Sequence, residues 1–298
     1  MALPSYASPV QKTYYYLYLF FCGVVFFFLV APLIAIVPIS FSVSPFMVFT
    51  DGMLAWPPDP EAWSLRWYKN MIGDCSADVV SSTVPCSNKW MIGTLNRFFI
   101  GIVATVIATS LGTLAALGLS RPHMPFKGII MAILISPMIV PLIITAAGMF
   151  FFYARINLVY TFTGVILAHV ALATPFVVIT VTATLVGFDM NMVKAAQSLG
   201  ARPVKTFFRV IMPLILPGII SGALFAFITS FDEVVIVMFM ASLDQLTIPK
   251  QMWAGIRQEI SPVILCMATC LVALSIFLLT TVELLRRRSE RLRGIKPR

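Results

Sequence analysis

Asp189-Met-Asn-Met-Val-Lys-Ala-Ala-Gln-Ser-Leu-Gly-Ala-Arg-Pro-Val-Lys-Thr-Phe-Phe-Arg-Val-Ile-Met-Pro213 joins two apolar runs, roughly 162–186 and 214–240, each long enough to cross a bilayer. The joining stretch reads as helix, turn, helix. Asp189 can cap the first helix. Met192, Ala195, Ala196 and Leu199 recur at i, i+3, i+4 and i+7, an apolar stripe on one face. Gly200 fits the C′ position, where the backbone turns left-handed. Pro203 opens a second helix at its first position, where the missing N–H costs nothing. Val204, Phe207, Phe208 and Ile211 form the second stripe, Arg202, Lys205 and Arg209 take the other side, and Pro213 ends it. A short amphipathic helix bearing two alanines thus projects from between two spans, open to close contact with another surface. The second helix can lie along the membrane boundary through its phenylalanines.

Outward from this elbow, composition says the same. The chain has 298 residues, of which 59% are hydrophobic and 11% charged. A soluble domain carries about 25% charged residues, so this chain cannot cover a water-facing surface. Disorder and collagen-like fibres need far less apolar mass. Six stretches are long and apolar enough to span: 15–38, 98–119, 128–153, 162–186, 214–240 and 262–282. The first is too long for a signal-peptide core and reads as a retained span. With the N-terminus inside, inner segments hold 14 of the 21 Lys and Arg, concentrated in short loops and the tail 286–298. That bias places both termini in the cytoplasm. The net charge of +9 therefore reads as a membrane signature, with no nucleic-acid partner.

One outer segment is long, 41–97. It holds Trp56, Trp63, Trp67 and Trp90, suited to the membrane–water boundary, and Pro57-Pro58. A small cap or interfacial helix is expected around 62–71. Cys75 and Cys86 are a candidate disulfide if the outside is an oxidising periplasm; the alternative is two unpaired thiols. Cys22, Cys266 and Cys270 fall in spans and read as packing residues. Neither a CxxC nor a paired-histidine spacing is present, so no metal site is expected. Ala104, Ala108, Gly112 and Ala116, and again Gly218 and Gly222, form small-residue stripes that let helices approach closely. Pro137, Pro141 and Pro175 each delete a helix hydrogen bond and favour kinks. Asp232 and Glu233 stand in the fifth span, where a charge costs about 2.5–3.5 kcal/mol at the bilayer centre. Either one of them lines an aqueous path and attracts a cationic solute, or one pairs with a cation or backbone donor of a neighbouring helix. His169, alone in the fourth span, reads as a polar packing residue.

These residues carry a resemblance. Lys194-Ala195-Ala196-x-x-x-Gly200 followed by Val210-x-Met212-Pro213 resembles the EAA loop of the inner-membrane permease subunits of binding-protein-dependent ABC importers. Ser230-Phe231-Asp232-Glu233, Leu246-Thr-Ile-Pro249, Gln251-Met-Trp253 and Ser64-Leu-Arg-Trp-Tyr68 are similar to the spermidine/putrescine branch. The family usually has Glu at the place of Lys194, which reverses a charge; Val210 and Met212 replace Ile and Leu at conserved volume.

The resemblance implies an all-α integral membrane protein of the type I ABC importer permease fold. It would have an N-terminal tail and first span at 1–40, an outer segment at 41–97, a core five-helix permease domain at 98–285 with its coupling loop at 187–213, and a basic tail at 286–298. Lys194, Ala195, Ala196, Leu199, Gly200, Ala201 and Pro213 would form the coupling element that seats in an ATPase. Phe231, Asp232 and Glu233 are candidate pathway residues for a polyamine or similar cationic amine; an opine or amino-acid-like solute is the alternative in the same class. Implied partners are a second homologous permease, an ATPase dimer, a periplasmic solute-binding protein and membrane lipid, in the bacterial inner membrane. The chain has no Gly-Lys dipeptide, so no phosphate-binding G-x-x-x-x-G-K-[ST] loop. It is not expected to be an enzyme or to hold a cofactor; ATP and Mg would bind the partner subunits. A gradient-driven carrier would usually show more spans or an inverted repeat, and a membrane enzyme would want a nucleophile–base set or metal cluster.

Overall fold

The computed structural model describes residues 8–74, 88–121, 123–189, 191–242, 244–258 and 261–292. Among them the secondary structure is helical apart from one isolated antiparallel bridge, Ser42 to Trp63. Five helices are long and apolar enough to cross a membrane, or six if a bent pair counts as one span. Cys75 and Cys86, the candidate disulfide, lie outside the described residues, as do Arg293, Lys296 and Arg298 of the basic tail.

The chain divides into two compact units. One comprises Met1–Ser87 with Gly255–Leu279. It opens with α1 (Pro9–Ile39), started by a capping box in which the Ser8 hydroxyl accepts the Gln11 N–H and the Gln11 side chain accepts the Ser8 N–H. No residue of α1 is buried within the chain, so its apolar surface is left for lipid or another subunit. A short turn α2 (Asp51–Leu54) and α3 (Arg66–Met71) follow. The latter falls inside the stretch expected to form a cap. Trp67 corrects the boundary reading: it is fully buried, and its indole N–H donates to the Ser42 and Ser44 carbonyls at 3.0 and 3.2 Å. It is the centre of a small folded cap, in which Ser64 N–H donates to the Phe41 carbonyl at 2.7 Å. The Tyr68 hydroxyl meets Ser40 Oγ at 2.8 Å. Trp56, 94% exposed, keeps the boundary character.

The second unit comprises Asn88–Ala254 with Thr280–Arg298. Its elements are α4 (Lys89–Leu119), α5 (Lys127–Ile139), α6 (Leu142–Arg155), α7 (Phe162–Val186), α8 (Asn191–Ser198), α9 (Pro203–Asp232) and α10 (Val235–Met240). The chain continues through α11 (Ile248–Gln258) and α12 (Val263–Leu292). The helix α4 begins at Lys89, nine residues before the expected span, so Arg97 is a helix residue and not a loop residue. The expected third span is not one straight helix: α5 and α6 meet at 104°. The cause is Pro141, which lacks an N–H and pushes Val140 into extended backbone (ψ 137°). By contrast Pro175 stays inside an unbroken α7. The expected fifth span also ends early, at Asp232, because Glu233 is extended (ψ 122°) and the chain restarts as α10.

Helices α4, α7 and α9 build the core of this unit, with α7 the most enclosed. The small-residue stripes make that contact. Ala104, Ala108 and Ala116 have no exposed surface, and Gly112 is buried with them. A Cβ at Gly112 would stand 2.7 Å from Val177 Cβ, and one at Gly222 would stand 2.5 Å from Thr180 Oγ1 and 3.0 Å from Val177 Cα. Val177 is thus clasped between α4 and α9 by two glycines that leave no room for a side chain. Gly222→Leu is expected to cost about 1–3 kcal/mol by overpacking, because the Val177 backbone cannot step aside. Gly148→Leu, where a Cβ meets nothing within 4 Å, is the control, expected within about 0.5 kcal/mol of the parent. Thermal unfolding in detergent micelles reads the difference.

Candidate functional site: an elbow and a polar cluster at the two ends of one helix

The elbow is built as its residues require. Asp189 Oδ1 accepts the Asn191 N–H at 2.9 Å, and the Asp189 carbonyl accepts that of Met192 at 3.2 Å. Gly200 takes φ +80°. The Gly200 N–H donates to the Gln197 carbonyl at 2.9 Å and the Ala201 N–H to the Ala196 carbonyl at 3.0 Å. Those two bonds are the Schellman pair that ends a helix on a left-handed residue. Lys194 and Ala195 are exposed, Ala196 is half-buried, and Leu199 is 89% exposed. The α8 stripe is therefore largely uncovered within the chain.

Pro213 does not end the second helix of the elbow. The helical run continues from Pro203 to Asp232 as α9. A wide π turn occupies Phe207–Ile211, and the Met212 N–H donates five residues back, to the Phe207 carbonyl. A proline ring in a helix collides with the carbonyl four residues earlier. The widened turn ahead of Pro213 moves that carbonyl out of the way. The inward face runs Thr206, then Ile211 five residues on, then Ile215, with Thr206 only 2% exposed, Ile211 half-buried and Ile215 fully buried. Val204 and Phe208 of the expected apolar stripe are 69% and 60% exposed within the chain, an uncovered surface of the kind that lies along a membrane boundary.

At the other end of α9, four consecutive residues take four separate positions. Ser230 Oγ lies 2.8 Å from His169 Nδ1, both side chains buried. Phe231 packs on Phe227 and Phe98 with ring centroids 5.3 and 5.2 Å apart, and the Arg97 guanidinium carbon sits 4.5 Å over its ring. Asp232 is exposed at the helix end. Glu233 is buried, and its Oε1 accepts the Ile236 N–H at 2.9 Å, capping α10. Arg97, 4% exposed, lies within electrostatic reach of both carboxylates, and its Nε has no hydrogen-bond partner. The buried His169 Nε2 is likewise unpartnered. Glu233 thus has a backbone donor, and Arg97 gives the acidic pair a cationic neighbour stabilised by an aromatic face.

A polar strap follows α10. Asn96 donates to the Asp244 and Leu246 carbonyls at 2.9 and 3.0 Å, and Lys250 Nζ donates to the Ala241 carbonyl at 2.6 Å. Burial lowers the Lys250 ammonium from the ordinary lysine value. Among the described residues no group of His, Cys, Asp and Glu could hold a metal ion.

Sequence reasoning missed Arg97, counted as an outer-segment cation, and the His169–Ser230 pair. A signal for the arginine was present. It stands seven residues before Ala104 and eleven before Ala108, on the same stripe that faces the core.

Known proteins share this architecture. Residues 108–291 match the family described as binding-protein-dependent transport system inner membrane component. The spermidine/putrescine transport system permease protein PotC of Haemophilus influenzae is 27% identical over 271 residues, 91% of this chain and 96% of the relative. The putrescine transport system permease protein PotI of Escherichia coli K12 is 30% identical over 252 residues, 82% of this chain and 81% of the relative. Among solved structures, a bacterial ABC transporter involved in the import of the acidic polysaccharide alginate aligns with TM-score 0.69 at 13% identity. That alignment covers 94% of this chain and 99% of the other, a likeness of fold. The profile match spans more than half the chain, and with the multi-pass apolar helices it places this protein in the family of inner-membrane permease components of binding-protein-dependent ABC importers.

Proposed function

We propose that this chain forms half of the translocation pathway for a polyamine or similar cationic amine and is driven through its elbow by an ATPase subunit. The carrying observation is the unbroken helical run Pro203–Asp232. It ties a Schellman-capped amphipathic helix with an uncovered apolar face to a cluster of buried Arg97 and Glu233 with half-buried Phe231. The helix α8, with Lys194, Ala195, Ala196 and Leu199, docks on the ATPase from the cytoplasm. Gly200 and Ala201 set the bend, and Pro213 lies inside the lever. ATP and Mg bind the ATPase subunits, a second permease completes the path, and a periplasmic binding protein delivers the solute.

The solute class rests on the acidic pair and on relatives whose names specify spermidine and putrescine. Asp232, exposed at the helix end, is the contact for a solute ammonium; Glu233 holds the helix break that shapes the path. ATP-driven closure of the ATPase biases a two-state arrangement of the elbow between inward and outward access.

The test is reconstitution of the whole complex in liposomes. Uptake of putrescine or spermidine is expected only with ATP inside and binding protein outside. Accumulation by this chain alone, against a gradient and without ATP, would refute the reading.

A further inference from the structure

Beside the elbow lies a cleft of about 260 Å³. One wall is the end of α8 and its turn, Leu199, Gly200 and Ala201; the other is Lys205, Thr206 and Arg209 of α9. Its chemistry is one-sided. Lys205 and Arg209 stand one helical turn apart and are both exposed, and no described carboxylate pairs with either. Between them Thr206 is 98% buried, and its Oγ1 has no hydrogen-bond partner. A buried hydroxyl is normally paired. Here one lies unpaired and enclosed in the wall of a cleft bordered by two cations, an arrangement that suits one small anionic group once a χ1 rotation turns the hydroxyl outward.

We propose that this cleft receives a carboxylate side chain of the ATPase subunit, held by Lys205 and Arg209 and by the Thr206 hydroxyl. The proposal rests on the reading of α8 as the ATPase-docking helix and deepens it. The rim supplies the reason for this occupant. Leu199, 89% exposed, is both the edge of the cleft and the end of the uncovered α8 stripe. A surface that covers the stripe therefore reaches the cleft without a gap. The apolar stripe supplies contact area, and the cleft fixes register through a charge-assisted bond. With Lys194, Arg202, Lys205 and Arg209 all exposed on the elbow, the facing surface is acidic.

The experiment uses the assembled permease pair in neutral detergent, titrated with the ATPase subunit. Lys205→Gln with Arg209→Gln is expected to weaken binding at least tenfold and to flatten its salt dependence. Thr206→Val is expected to weaken it about threefold, and the charge-keeping exchange Lys205→Arg with Arg209→Lys to bind as the parent does. Carbodiimide coupling, which joins an amine to a carboxylate in contact, should link Lys205 to an ATPase carboxylate by peptide mapping, whatever the fate of the variants. Leu199→Asp tests the parent reading separately. If Leu199→Asp abolishes binding while the double glutamine variant binds normally and no Lys205 link forms, the cleft proposal is wrong and the docking helix stands. If Leu199→Asp binds normally, both fall. If the double variant differs from the parent only in nanodiscs containing phosphatidylglycerol, and not in phosphatidylcholine, the occupant is a lipid phosphate and the proposal is overturned.

Discussion

Gly200→Val is expected to cut solute uptake at least tenfold while the complex goes on hydrolysing ATP. Gly200 holds φ +80°, with open space where a Cβ would stand. The obstacle is therefore backbone conformation alone. A β-branched residue is a genuine outlier at positive φ, and holding one residue there costs about 1–3 kcal/mol. The cheaper response is to open the Schellman pair and let α8 swing away from its set angle to α9. An ATPase still bound to α8 would then close without moving α9. Gly200→Asn, which tolerates the left-handed region better, should recover most of the uptake. Paired measurements of uptake and ATP hydrolysis in proteoliposomes decide it. Unchanged uptake in the valine variant would show that the bend angle does not matter.

The second large effect is expected at the acidic pair. A carboxylate and an ammonium about 4 Å apart attract by about 4 kcal/mol at an effective dielectric of about 20. Asp232→Asn should therefore lower uptake of a cationic solute tenfold or more, with ATP hydrolysis and assembly nearly intact. Glu233 has a different position, and two substitutions separate its parts. Glu233→Gln keeps an oxygen for the Ile236 N–H, so the fold should hold. Glu233→Ala removes the cap from a buried N–H and should cost about 1–3 kcal/mol of stability, visible as a lower Tm. Equal losses of uptake and ATP hydrolysis in Asp232→Asn would make the pair structural.

What the sequence disclosed follows from the length of the signals it carried. Long apolar runs and small-residue stripes are repeated many times over, so the core of α4, α7 and α9 could be read from spacing. The Gly200 turn was legible because only one residue type favours that backbone. Features decided by a single residue against its surroundings were not. Pro213 looked like a terminator, but a π turn accommodates it, and no local pattern announces a π turn. Pro141 and Pro175 looked alike, yet one sits at a break and the other inside an intact helix. Arg97 was read by its charge as a loop residue, when its phase with Ala104 and Ala108 placed it in the core. Its partners come from α9, far along the chain, and only the fold brings them together.

The widened turn at Phe207–Ile211 has a geometric result beyond making room for a proline. Each residue of an α-helix advances the direction of its side chains by about 100°. The widened turn absorbs one surplus residue without adding to that advance: Thr206 and Ile211, five apart, still face inward together. Deleting Val210 would close the turn to ordinary helical spacing and keep the compass bearing of α8 about the rod axis. It would also return a carbonyl to the path of the Pro213 ring. The surplus residue thus holds the azimuth of the elbow constant while the proline is seated.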